Sequence, residues 1–211
     1  MRRLTEEGRR VKFLFDLDGT ITKEETLPLI AKHFHVEADI DRLTRETVEG
    51  KVPFEESFAH RVRILGQFPV DEVSGLLGDV ELHPMMVDFI RGNRAVCRIV
   101  TGNLFCWIGK LVQRLGCGCY ASQAEVRDNR VAALSSILRK EEVVRRLTEE
   151  GCKVVFLGDG NNDIEAMRLA DVSIAAALTH RPAEGVLSVA DYVAVDEKEL
   201  YERLNRLLLK E

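Results

Sequence analysis

No apolar stretch in this chain of 211 residues is long enough to cross a bilayer, because a spanning helix needs about 20 consecutive apolar residues. The charged opening, Met1 to Arg10, runs into only the short apolar segment Val11 to Phe15, too brief for a secretory core. A cytoplasmic protein with no membrane partner is expected. Basic tracts are missing as well. Thirty Lys and Arg stand against 35 Asp and Glu, for a net charge of −5, so nucleic acid is not expected as a partner. The five cysteines contain no Cys-x-x-Cys pair. Cys97, Cys117 and Cys119 read as small thiols among buried strands, and Cys117 and Cys119 would crowd one another or face apart as metal ligands. Internal repeats and low-complexity tracts are absent, which excludes solenoid and disordered classes. What remains, 45% hydrophobic and 31% charged residues, is the composition of a globular protein with one core and room for a small insert.

Short apolar runs recur at 11–15, 95–100, 154–157, 172–176 and 192–195, each leaving through a polar or glycine-containing turn. That pattern predicts buried strands. Between them, residues 104–115 place Leu104, Ile108, Leu111, Val112 and Leu115 on one helical face, and 137–149 do so with Ile137, Val143, Val144 and Leu147. Alternating strands and helices predict an α/β fold with a doubly wound, Rossmann-like parallel sheet. Residues 24–84 break the rhythm with several amphipathic helical patterns and no strand candidate. They are expected to form a small helical cap inserted after the first strand, leaving 1–23 and 85–211 as the core. His83 and Pro84 mark the return, since proline suits the first turn of a helix. Residues 125–131 predict a hairpin, with Asp128 and Asn129 accepting the positive φ of a tight turn.

In such a sheet the strand tips converge on one crevice. Asp16 and Asp18 end the first strand, Thr101 another and Asp159 a third, each beside a glycine. Carboxylates gathered this way repel unless a cation lies among them, and hard oxygen ligands suit Mg²⁺. Gly19, Gly102, Gly158 and Gly160 let backbone amides approach an anion closely. Lys140, just before the strand that leads to Asp159, supplies positive charge for a nucleophile and a transferring phosphoryl group. Each piece has a plainer reading: Asp-x-Asp is commonly a turn, Lys140 alone a solvated helix residue, and residues 158–163 a loop with a helix cap. Their common topological position is what argues for a phosphoryl-transfer site.

The stretches FLFDLDGTIT at 13–22, VTGN at 100–103, Lys140, and FLGDGNNDIEAM at 156–167 resemble the haloacid dehalogenase superfamily over nearly the whole chain. The helical insert is similar to that of its phosphoserine phosphatases. The resemblance implies that Asp16 attacks phosphorus and that Asp18 protonates the leaving alcohol and then activates water. It implies Mg²⁺ held by Asp16, the Asp18 carbonyl and Asp159 with Asp163 in support, and phosphate oxygens bound by Thr101 and Gly102. Asn162 would orient phosphate or substrate. Glu25 would take a substrate ammonium, Arg61 its carboxylate, and Phe54 would shield the site; otherwise Glu25 and Arg61 read as surface charges. A small phosphorylated metabolite is the expected partner, phosphoserine the expected substrate and serine biosynthesis the expected setting, for a monomer or homodimer. Two departures stand out. Thr-Gly-Asn-Leu replaces the usual Ser-Gly-Gly-Phe, so that Asn103 and Leu104 narrow or re-polarise the pocket, and residues 175–182 lack a common Asn or Lys. His33, His35 and His180 are expected at the surface or in packing. The competing readings are a phosphatase for a sugar, polyol or amino-alcohol phosphate, a phospho-accepting receiver-like signalling module, and an idle homologue that only binds such metabolites. Against a receiver stand the built-in acid/base of Asp-x-Asp and an insert of roughly sixty residues that would cover the site.

Overall fold

The structure is a computed structural model and describes residues 10–48 and 51–209; the charged opening, 1–9, and the side chains of Thr47 and Val48 lie outside what it describes. Strand β1 (Val11–Phe15) is followed by four helices, α1 (Thr26–His33), α2 (Glu37–Val48), α3 (Phe54–Leu65) and α4 (Val70–Gly78). Helix α5 (Pro84–Gly92), with Pro84 in its first turn, then leads into β2 (Cys97–Leu104), α6 (Phe105–Leu115) and the hairpin of β3 (Gly118–Arg127) and β4 (Arg130–Ser136). The rest alternates: α7 (Lys140–Glu149), β5 (Lys153–Gly158), α8 (Ile164–Leu169), β6 (Val172–Ala176), α9 (Glu184–Val189), β7 (Tyr192–Ala194) and α10 (Glu197–Leu208).

The seven strands form one sheet in the order β4-β3-β2-β1-β5-β6-β7. Every pair is parallel except the β3–β4 hairpin at the edge. Alternate residues of β1 feed different cores: Phe13 and Phe15 join Phe89, Trp107 and Leu204 on one face, and Leu14 joins Val144, Phe156 and Met167 on the other. A strand covered on both faces must be apolar at consecutive positions, which is why 13–15 reads as an unbroken run. The expected doubly wound α/β fold is present. Helices α1 to α4 fall between β1 and α5, as the helical pattern of 24–84 predicts, with α4 packed against α6 and α3 against β4.

Several local expectations need correction. Strand β2 runs on through Thr101, Gly102 and Asn103 to Leu104, with an irregular register against β3 between Thr101 and Leu104, so α6 starts at Phe105 rather than 104. Helix α7 starts at Lys140 rather than 137. The short hairpin expected at 125–131 is the tip of a longer one, with Asp128 and Asn129 at φ 48° and 60°. Strand β3, expected only around Cys117 and Cys119 and in the hairpin at 125–131, runs unbroken from Gly118 to Arg127, with half of its residues facing solvent. β7 is an edge strand with Tyr192 and Val193 exposed. Cys97 and Cys152 are buried and Cys106, Cys117 and Cys119 half-buried, all as free thiols. Burial pushes Cys97 and Cys119 up to about 12, which leaves them protonated and unreactive near neutrality.

Candidate active site

The carboxyl ends of β1, β2 and β5 open into a cavity of about 740 Å³ whose lining includes Asp16, Asp18, Thr101, Gly102, Asp159 and Asn162 from the strand ends and Glu25, Phe54 and Arg61 from the helical insert. At its floor, Lys140 places its ammonium 2.7 Å from Asp16 Oδ1 and 2.6 Å from Asp163 Oδ1. All three side chains are almost completely buried. A buried ammonium survives only with such partners. Burial drives Lys140 towards neutrality, but Asp16 and Asp163 outweigh it and the net shift is upward.

Asp163 spends its second oxygen on the backbone, accepting the N–H groups of Asp159 at 3.1 Å and Gly160 at 3.0 Å. It therefore holds both the Lys140 head and the turn that carries Asp159. Thr20 donates to Asp159 Oδ1 at 2.6 Å. Asp18 lies half-buried two residues beyond Asp16 and accepts two hydrogen bonds from Thr26. Gly19 must be glycine on two counts. Its φ is +71°, and a Cβ there would meet His180 Nε2 at 2.7 Å, Glu25 Oε1 at 2.9 Å and Asp159 Oδ2 at 3.0 Å. The Phe54 ring closes over Gly102, where a Cβ would sit 3.0 Å from Cζ. Half-buried Arg61 donates to the Ser57 carbonyl at 3.4 Å and lies 6.0 Å from the Phe54 ring centre.

Crowding shows in the titration behaviour. Burial, then Asp163, Asp159 and Asp18, raise Asp16 well above the usual carboxylate range, with Lys140 opposing. Burial and Glu25 raise Asp18, with Thr26 opposing. Burial and Asp163 lift Asp159 to about 7. Burial lowers Arg61, while Glu25 and Asp18 hold it up. Oxygens of Asp16, Asp159 and Asp163 all lie within 4.8 Å of one another. Three carboxylates this close together, offering only hard oxygen donors, fit a divalent cation such as Mg²⁺. Asp163, already saturated by protein donors, fits the supporting place.

His180 is exposed, as expected, and it also lines the cavity, with Nε2 3.0 Å from Glu25 Oε1 and 3.4 Å from Asp159 Oδ2. The Glu25 hydrogen bond lifts it to about 9. His33 lies at the surface as well, paired with Glu72 at 3.0 Å, and His35 is exposed at φ 57°. Thr20, Thr26, Asn161 and Arg181 also belong to the site or its lining. Of these Thr20 and Asn161 lay within the recognised motifs, and nothing in the spacing singled out Thr26 or Arg181.

The model of the haloacid dehalogenase-like hydrolases matches residues 13–168, and the chain belongs to that family. Within it, this is a phosphatase resembling the phosphoserine phosphatases. The phosphoserine phosphatase of Methanocaldococcus jannaschii is 26% identical over 94% of this chain and 98% of its own. That of Saccharomyces cerevisiae is 29% identical over 80% of this chain, which spans only 60% of the yeast protein. Among solved structures, a phospho-aspartyl intermediate analogue of phosphoserine phosphatase superposes with a TM-score of 0.76 at 26% identity, covering 92% of this chain and 99% of the other. A substrate-bound phosphoserine phosphatase complex gives 0.77 at 25%, covering 93% and 99%.

Proposed function

We propose that the chain is a Mg²⁺-dependent phosphomonoester hydrolase that passes through an aspartyl-phosphate on Asp16 and acts on phosphoserine or a similar small phosphorylated amino acid. The observation that carries this reading is the floor, where Lys140 bridges Asp16 and Asp163 and Asp18 stands two residues beyond the nucleophile. Lys140 opposes the burial that raises Asp16, and one carboxylate oxygen is directed at phosphorus. Asp18 gives its proton to the departing alkoxide, then takes one from the water that opens the acyl-phosphate. Thr101 and the Gly102 amide bind the phosphoryl oxygens, and Asn162 orients the group. When bound by Asp16, the Asp18 carbonyl and Asp159 with Asp163 behind them, Mg²⁺ would offset the negative charge gathered at this point. Residues 24–84 act as a cap over residues 1–23 and 85–211, with Phe54 excluding water, Arg61 meeting a substrate carboxylate in a two-pronged contact and Glu25 meeting an ammonium. The similarity to named phosphoserine phosphatases supports the amino-acid substrate.

One feature of this chain favours a second reading, a phosphomonoester without an ammonium group: Glu25 is already paired with His180. A screen of phosphorylated metabolites with Mg²⁺ tests both. Phosphoserine as the best substrate supports the first reading, and a sugar or polyol phosphate as the best supports the second. Phosphate uptake without sustained release would mark a receiver-like module instead.

A further inference from the structure

Thr26 and Asn103 are both buried, and neither has been given a part in the reaction. They are nevertheless joined to Asp18 by a chain of hydrogen bonds whose direction is fixed at each step. The Leu104 N–H donates to Asn103 Oδ1 at 2.8 Å. The Asn103 amide is thereby oriented with its NH₂ towards Thr26, where it donates to Oγ1 at 2.6 Å. Having accepted there, the Thr26 hydroxyl sends its own proton to Asp18 Oδ1, which also takes the Thr26 backbone N–H at 3.1 Å. Oδ2 is held only loosely, with Thr101 Oγ1 and Asn103 Nδ2 each at 3.5 Å, the outer limit of a hydrogen bond.

We infer that Asn103 and Thr26 are positioning residues that pin Oδ1 of Asp18 and so reserve Oδ2 as the atom that exchanges the proton. The inference rests on Asp18 being the acid/base, and it adds which oxygen works and which residues hold it. In the first half-reaction the Oδ2 proton passes to the alkoxide oxygen as its bond to phosphorus breaks. In the second, Oδ2 takes a proton from the attacking water as the bond between phosphorus and Asp16 breaks, restoring the starting state. A carboxyl free to rotate would present either oxygen at a poor angle, and a misplaced proton donor costs up to about a hundred-fold in rate. Asn103 is one of the positions at which this chain departs from the Ser-Gly-Gly-Phe pattern, so the pin uses a residue of its own.

The test exploits leaving groups. p-Nitrophenolate departs without a proton, whereas an alkoxide needs one. Thr26→Val, which keeps the shape and removes the hydroxyl, and Asn103→Leu are compared with wild type by kcat/KM on p-nitrophenyl phosphate, phosphoserine and glycerol phosphate. Both variants should lose about ten- to a hundred-fold more on each alkyl ester than on the aryl ester, with the loss in kcat rather than KM. Thr26→Ser should restore the wild-type ratio. Equal losses on all three esters, or none, would show a merely structural role and overturn the inference. A loss confined to phosphoserine would reassign the pair to recognition. If the wild type turns over none of the esters, the phosphatase reading fails before the variants are compared.

Discussion

The side chains of Lys140, Asp16, Asp163 and Asp159 at the cavity floor are 8% exposed or less, whereas those of Glu25 and His180 on the wall are 44% and 41% exposed. At the floor Lys140, Asp16, Asp163 and Asp159 have short-range partners from the strand ends and the turns and helix start beside them. The wall is held by a few longer contacts between side chains and from α1 to the loop after β6. Burial strengthens charge interactions at the floor and makes any unpaired group there costly, while water screens those at the wall. The floor is thus fixed for one chemistry, and the wall can change its substrate without unmaking the reaction.

Substitutions should break this contrast in order of depth. Asp16→Asn should abolish turnover on every substrate, by at least about a thousand-fold, and an assay on an aryl and an alkyl ester will read it. Lys140→Met should come close, and it should also destabilise the fold, because removing one partner of a buried ion pair costs about 3–5 kcal/mol. Denaturant melts will report the second effect, and an unchanged midpoint would mean the floor is less dry than it looks. Arg61→Ala should cost roughly ten- to a hundred-fold on phosphoserine and little on p-nitrophenyl phosphate; equal losses would remove the amino-acid assignment.

The smallest effect is on stability against pH. Asp159 titrates near 3.8 unfolded and about 7 folded. A raised carboxyl favours the folded state most below its unfolded value. Without metal the contribution of Asp159 should therefore be complete near pH 4 and fade as pH rises through about 7. Added Mg²⁺ should raise Tm by more at pH 8 than at pH 5, since it binds the ionised cluster. A Mg²⁺ shift independent of pH would count against a carboxylate site.

The floor was legible in the sequence because its residues sit at strand ends beside glycines, where local pattern and topology coincide. Asp16, Asp18, Asp159 and Lys140 could be placed together from their order along alternating strands and helices. The wall obeys no such rule. His180 reached Glu25 from a loop 155 residues away, and Thr26 met Asn103 across 77. Neither spacing carries a local signature. Only the ends of strand β3 were legible, around Cys117 and Cys119 and in the hairpin, because a peripheral strand hydrogen-bonded to its neighbour needs no apolar run. His180 is solvent-exposed, as a lone histidine in a loop ordinarily is, and only its close approach at Gly19 ties it to the site.

The most direct test of the account is to quench the enzyme during turnover with Mg²⁺ and an alkyl phosphomonoester, reduce it with borohydride and map the modified peptide by mass spectrometry. Reduction at Asp16, absent when substrate is omitted, is the predicted result. Steady turnover with Asp16 unlabelled, or label at another carboxylate, would contradict the nucleophile on which the account rests.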